Sequence, residues 1–286
     1  MNSLAASFRN QCNRFKCHNQ HKPGASTVAN AIKKILLVGE TWMSSASHYK
    51  GFDQFGSVTF HSGADPLVKA LAGTAFELTH MPAHEAIEKL PFDLAGLQAY
   101  DAILLSDIGA NSLLLHPDVW LRGKPVPNRL KLLREWTAAG GGLAMIGGYF
   151  SFQGIDGRAR WHRSPVEEVL PVECLPYDDR LEIPEGFSAD VHGPKSHAIL
   201  KGITGEWPLL LGANEVRLKK IDGVEVLASL PAEQGGHPLL VTGKYGKGRT
   251  LAWTSDISPH WLPASFYEWP GYTTLWRNVV GWLANS

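Results

Sequence analysis

Cysteine is scarce in this chain, with only Cys12, Cys17 and Cys174 among 286 residues. So small and odd a number excludes a disulfide framework and fits a reducing compartment, so a cytoplasmic location is expected. Long hydrophobic runs are missing as well. Nothing approaches the ~20 apolar residues that span a bilayer, and residues 1–31 contain no stretch like a secretory core. Net charge is absent, 27 basic residues balancing 27 acidic ones. That balance leaves no electrostatic footprint for nucleic acid or an anionic membrane. It directs attention to a small polar ligand or to protein partners, a homo-oligomer included.

Acidic residues are missing from the first 39 positions, where Arg9, Arg14, Lys16 and Lys22 stand and Glu40 is the first carboxylate. A transit-type leader, a floppy tail and an upstream start codon all fit such a segment. The expectation is a flexible extension over residues 1–32 ahead of one domain at 33–286. Cys12 and Cys17 lie beside His18 and His21, but a Cys-x4-Cys spacing without a second knuckle matches structural zinc sites poorly.

What the chain does have is apolar substance. The hydrophobic fraction is 44%, and five of its ten tryptophans (Trp253, Trp261, Trp269, Trp276, Trp282) fall in the last 34 residues. Large rings of this kind dominate cores. Ile35-Leu36-Leu37-Val38, ended by Gly39, reads as a buried parallel strand. Further strands are expected at Ser57–Phe60, Phe76–His80, Tyr100–Asp107 and Leu143–Ile146, with helices at 64–72, 84–90 and 128–139 between them. Such alternation predicts right-handed βαβ units and an α/β fold with a parallel sheet. A mainly β lobe is expected over about 171–250, with a hairpin bent at Tyr245-Gly246-Lys247-Gly248. Tyr272, Leu275, Trp276, Val279, Val280 and Leu283 follow helical spacing and predict a closing amphipathic helix.

Three segments carry a family resemblance. Gly140 to Tyr149 is similar to the strand and elbow that precede the nucleophile in class I glutamine amidotransferases. Lys244 to Ala252 resembles the hairpin before the last strand of an amidotransferase-like branch. Thr254 to Trp261 and the Gly-Tyr-x-x-Leu-Trp helix from Gly271 resemble the next segments of that branch. The chain thus resembles the class I glutamine amidotransferase-like superfamily over residues 33–284. It is related at the level of the fold to trehalose-utilisation-type proteins. The resemblance implies a flavodoxin-like sheet with flanking helices. It also implies a Cys–His–Glu triad, which this sequence lacks. The elbow reads Gly147-Gly148-Tyr149-Phe150-Ser151, Cys174 has no glycine elbow around it, and no His-x-Glu pair exists. A tyrosine hydroxyl of pKa ~10 is a poor substitute for a thiolate of pKa ~8.5.

Ligands of open α/β sheets bind beyond the carboxyl ends of the strands. The residues expected there are Glu40 and Trp42, His61 and Ser62, Asp107 and Asn111, Gly148, Tyr149 and Ser151, and Asp256, Ser258, His260 and Trp261. Each has a plain structural reading as cap or packing; together they make a polar rim with aromatics, suited to a small polar ligand. Arg160 and its neighbours Arg158, His162 and Arg163 could grip an anion or form a solvated loop or subunit contact. His61, Asp107, Asp256 and His260 are of metal-ligating type, but no metal and no cofactor is expected. The expected function is therefore ligand or partner binding without glutaminase activity. The alternative is a small-molecule hydrolase using Tyr149, Ser151, Asp256 or His260.

Overall fold

A computed structural model describes residues 31–285. The strands are β1 (Lys33–Gly39), β2 (Thr41–Lys50), β3 (Asp53–Ser62), β4 (Phe76–Met81), β5 (Ala102–Ser106), β6 (Gly142–Ile146) and β7 (Val172–Cys174). Next come β8 (Arg180–Phe187), β9 (Asp190–Val191), β10 (Leu210–Asn214), β11 (Val216–Leu218), β12 (Glu225–Ser229), β13 (Pro238–Tyr245) and β14 (Gly248–Trp253). The helices are α1 (Asp65–Leu71), α2 (Ala83–Lys89), α3 (Leu94–Leu97), α4 (Ala110–Leu114), α5 (Pro117–Trp120), α6 (Arg129–Ala139), α7 (Pro165–Val169), α8 (Ala264–Tyr267) and α9 (Pro270–Leu283).

Eight strands form the central sheet in the order β4-β1-β5-β6-β14-β13-β12-β9. The first five are parallel and the last three antiparallel. A parallel strand must be apolar on both faces, and β1 is: Ile35 and Leu37 join the layer of α1 and α9, while Leu36 and Val38 join that of α2, α4 and α6. Asn128 caps α6 by accepting from the backbone N–H groups of Leu130 and Lys131, and Gly140 at φ 131° ends it. In α9 the expected apolar stripe is buried, with Trp276 at 1% and Val280 at 0% exposure. Gly142 lets this helix approach closely, since a Cβ there would lie 2.4 Å from the Leu283 carbonyl.

Two sequence expectations need correction. Ser57–Phe60 does not belong to the parallel sheet; it lies in β3, paired antiparallel with β2 as a separate two-stranded hairpin. Its pattern explains why: Val58 and Phe60 alternate with polar residues, so the strand lacks the second apolar face that a central position demands. The segment 171–250 is strand-rich as expected, but β9, β12 and β13 extend the main sheet. Only the pairs β7–β11 and β8–β10 stand outside it. The hairpin at 245–248 is present, Gly246 turning at φ 59° between β13 and β14. No helix among the described residues is long and apolar enough to cross a membrane. Residues 1–30, with Cys12, Cys17, His18 and His21, lie outside the described residues.

Candidate functional site

Four adjacent strands, β1, β5, β6 and β14, end together, because Gly39 pairs with Ser106, Ser106 with Ile146, and Ile146 with Trp253. The residues just past these ends therefore meet. Glu40 and Asp107 occupy left-handed backbone, at φ 55° and 42°. Non-glycine residues rarely hold that conformation, and it gathers at functional sites. Glu40 is 2% and Asp256 4% exposed. Ser106 Oγ donates to one Glu40 oxygen at 2.5 Å and Ser258 Oγ to the other at 2.9 Å. Asp256 accepts from the Ile257 N–H at 2.7 Å and faces His260 Nδ1 at 3.2 Å.

Among the described residues no lysine or arginine forms an ion pair with Glu40, Asp107 or Asp256. Their electrostatics reflect that lack. Burial, then the charges of Asp256 and Asp107, hold the Glu40 carboxyl well above its ordinary pKa. Burial and then Asp107 do the same to Asp256. Burial raises Asp107 too, and lowers His260. Desolvation without a paired cation favours the protonated form of a carboxyl. Burial thus favours the neutral forms of these carboxyls and of the imidazole, so the cluster resists gathering negative charge.

The elbow after β6 closes one side. Gly148, at φ 141°, would place a Cβ 2.7 Å from Asp107 Oδ1, so only glycine allows the approach. Asp107 Oδ1 accepts the Phe150 N–H at 2.7 Å, and the Tyr149 N–H also reaches this carboxyl. Ser151 Oγ donates to the Ile146 carbonyl and accepts the Asp107 N–H, which makes it a brace. The Tyr149 ring meets His260 edge-on with centroids 4.0 Å apart, and His260 stacks on Trp261 at 4.8 Å. Arg180 lies 4.9 Å over Tyr149, and the Trp261 indole donates to Glu182 at 3.0 Å.

The remaining sequence candidates pack on other elements, except Ser62, which pairs with Thr41 beside Glu40. Trp42 and His61 stack on each other on the β2–β3 hairpin, and Ser62 ends β3. Asn111 lines a groove with Leu115 and Trp120. Arg158, Arg160 and Arg163 are exposed while Ala159 and Trp161 are buried, and His162 turns in to the Cys174 carbonyl at 2.8 Å. Arg158 pairs with Asp156, and Arg163 lines a separate open groove of about 770 Å³ with Arg217 and Lys219. Cys174 is buried on β7, where burial pushes its thiol up. Among the described residues no group of three or more His, Cys, Asp and Glu side chains is arranged to hold a metal ion.

Sequence reasoning missed the braces. Asp179, 1% exposed, accepts from the Gln153 and Gly154 N–H groups at 2.7 and 2.8 Å and from Asn214 Nδ2 at 2.8 Å. Asn214 in turn accepts the Gly148 N–H at 3.0 Å. Arg180 and Glu182 complete the aromatic wall. The one available signal is the charged Asp178-Asp179-Arg180 run in a Pro-rich loop; no spacing links it to Gly148 or Gly154.

A family model described as "Putative glutamine amidotransferase" matches residues 34–285. The chain belongs to this family. Its amidotransferase-like fold is shared with two solved Salmonella typhimurium proteins. Cytoplasmic protein STM3548 is 38% identical, over 87% of this chain and 98% of that one, with a TM-score of 0.81. Cytoplasmic protein STM1381 is 40% identical, over 87% and 99%, again at 0.81. A ThuA-like protein of Bacteroides uniformis, 13% identical over 91% and 94% with a TM-score of 0.55, shares the fold alone. No curated protein matches the chain.

Proposed function

We propose that this amidotransferase-like chain binds a small polar ligand among Glu40, Asp107, Tyr149, Asp256 and His260, and does not hydrolyse glutamine. The observation that carries the reading is the occupied elbow. A glutaminase needs a thiolate there, and free backbone N–H groups to hold the oxyanion. Here Tyr149 stands at the elbow, and the following N–H, of Phe150, already donates to Asp107. A turn succeeds β6 in place of a helix, so no helix N-terminus supports an anion. Carboxyls and an imidazole that burial pushes toward their neutral forms favour an uncharged, hydroxyl- or amide-bearing guest.

The hydrolase alternative draws on the Asp256–His260 contact of 3.2 Å, which has the form of an orienting acid and a base. Against it, burial raises the Asp256 carboxyl and so disfavours the anion that would orient a base, and both nearby serines are committed, Ser258 to Glu40 and Ser151 to Ile146. Burial, then Glu182, raises Tyr149 rather than activating it. Binding is the better-supported reading. A cytoplasmic setting is part of the proposal, in line with the description of the two Salmonella relatives.

A thermal-shift screen with free amino acids, monosaccharides and nucleosides tests the proposal. A ligand at ten times its Kd stabilises by about 1.4 kcal/mol, or roughly 3–5 °C for a domain of this size. The expected outcome is such a shift with one class, lost in His260→Ala and reduced in Tyr149→Phe. A shift that both variants retain in full would place the site elsewhere.

A further inference from the structure

The β2–β3 hairpin is a poor match to solvent. Its strands pair over ten residues each, from Thr41↔Ser62 to Lys50↔Asp53, an arm about 33 Å long at ~3.3 Å per residue. Between Thr41 and Ser62 the only Lys, Arg, Asp or Glu residues are Lys50 and Asp53, both at the tip. An isolated two-stranded hairpin is marginal in water, and proteins usually protect such a ribbon with charges or a covering element.

The two faces differ. On one, Trp42 stacks on His61, Ser44 hydrogen-bonds His61, and His48 bonds Ser57 and stacks on Phe55. That face is internally satisfied. On the other, Met43, Val58, Phe60 and Tyr49 stand among Ser45, Ser47, Gly56 and Gln54, and the apolar side chains lie open: Met43 is 65%, Tyr49 71% and Val58 63% exposed. At the tip, Gly51 turns at φ 64° and Phe52 is fully exposed. At the base, Phe60 touches His84 of α2. Beside it runs a groove of about 480 Å³, lined by Ile87, Leu115, Pro117 and Trp120, with Leu115 41% and Trp120 62% exposed.

We propose that the hairpin is a dimerisation arm: the Met43–Tyr49–Val58–Phe60 faces of two copies stack antiparallel, and Phe52 of each seats in the other's Leu115–Trp120 groove. The occupant is a second copy because the surface is self-complementary. A two-fold axis across the arm brings each tip to the partner's base, where the apolar groove lies, so one patch contacts its own copy in isologous fashion. The area also suffices. At about 150–250 Å² per aromatic ring, the exposed portions of Tyr49, Phe52 and Phe60 present on the order of 350–550 Å². A standard interface buries about 800 Å² per partner, and Met43, Val58, Leu115 and Trp120 add to the arm. The near absence of charge removes the repulsion that would otherwise keep two like surfaces apart.

Sedimentation velocity of the full chain from 1 to 100 µM is the test. The wild-type protein is expected to be a dimer, and Phe52→Asp and Val58→Asp monomers at matched concentration with unchanged far-UV circular dichroism. Both positions are solvent-exposed in one copy, so loss of folding is not expected. Mixing Phe52→Cys with Leu115→Cys, each in a Cys12→Ser/Cys17→Ser background, should give the mixed disulfide on oxidation. A wild-type monomer at 100 µM, or a dimer unaffected by both aspartates, overturns the proposal. Disulfides formed only between two Phe52→Cys copies would put the tips together and overturn the antiparallel arrangement.

Discussion

Replacing Asp179 by asparagine should flatten part of the pH dependence of stability. Asp179 is buried behind the elbow, and burial raises its pKa from an ordinary 3.8 to about 6, despite the donors from Asn214, Gln153 and Gly154 that favour its charged form. A carboxyl that binds its proton more tightly folded than unfolded supports the fold most below pH ~4. That support is lost as pH rises through about 6. The gap of about two decades in proton affinity corresponds to about 3 kcal/mol. Asparagine carries no titrating proton and incurs a pH-independent penalty for presenting an NH₂ where one backbone N–H now donates. Urea unfolding of both proteins from pH 4 to 7.5 separates the two effects. The variant should gain on the wild type by about 2 kcal/mol across that range, whatever its constant offset. Glu40, Asp107 and Asp256 titrate in both proteins and cancel in the difference. Parallel stability curves would refute the reasoning and mean that Asp179 is ionised throughout.

The core and the acid cluster supply two more tests. Trp276→Ala should destabilise by about 3–5 kcal/mol, as large-to-small core changes do. Trp276→Phe should cost less than half of that, because the indole N–H it removes is buried without a partner; equal losses in denaturant titrations would contradict this. Glu40→Gln should lose ground to the wild type toward pH 4 and recover it toward pH 8, since the Glu40 carboxyl is held above its ordinary pKa and its support fades as pH rises. A variant that instead loses ground as pH rises would reveal an ionised Glu40 held by a cation.

The parallel sheet was legible in the sequence where both periodicities were clean. The continuous run Ile35–Val38, the capped helix after Asn128 and the stripe ending at Leu283 depend on local pattern alone. The hairpin arm was not read, although its tip Lys50-Gly51-Phe52-Asp53 has glycine leading a two-residue loop, a tight-turn signature. Apolar residues at Val58 and Phe60 suggested burial, and no local signal reveals that a strand lacks a neighbour. Candidate site residues were legible when they lay close to strand ends. Glu40 and Asp107 come directly after strands, Tyr149 and Asp256 three residues beyond theirs, and they meet because registers align. Trp42 and His61 leave with the arm. Asp179 and Asn214 act from a loop and a small antiparallel pair, joined to the elbow only by tertiary hydrogen bonds.

Ammonia release from glutamine by the purified chain decides whether the elbow at Tyr149 is catalytically silent. Loss of a triad nucleophile lowers turnover by about a millionfold, and here Asp107 also occupies the Phe150 N–H that an oxyanion would need. The expected result is no release above the protein-free blank, with or without thiol alkylation. Release that is thiol-sensitive and disappears in Cys174→Ser would contradict the account, because it would require a buried thiol on β7 to do what the elbow at Tyr149 is argued not to do.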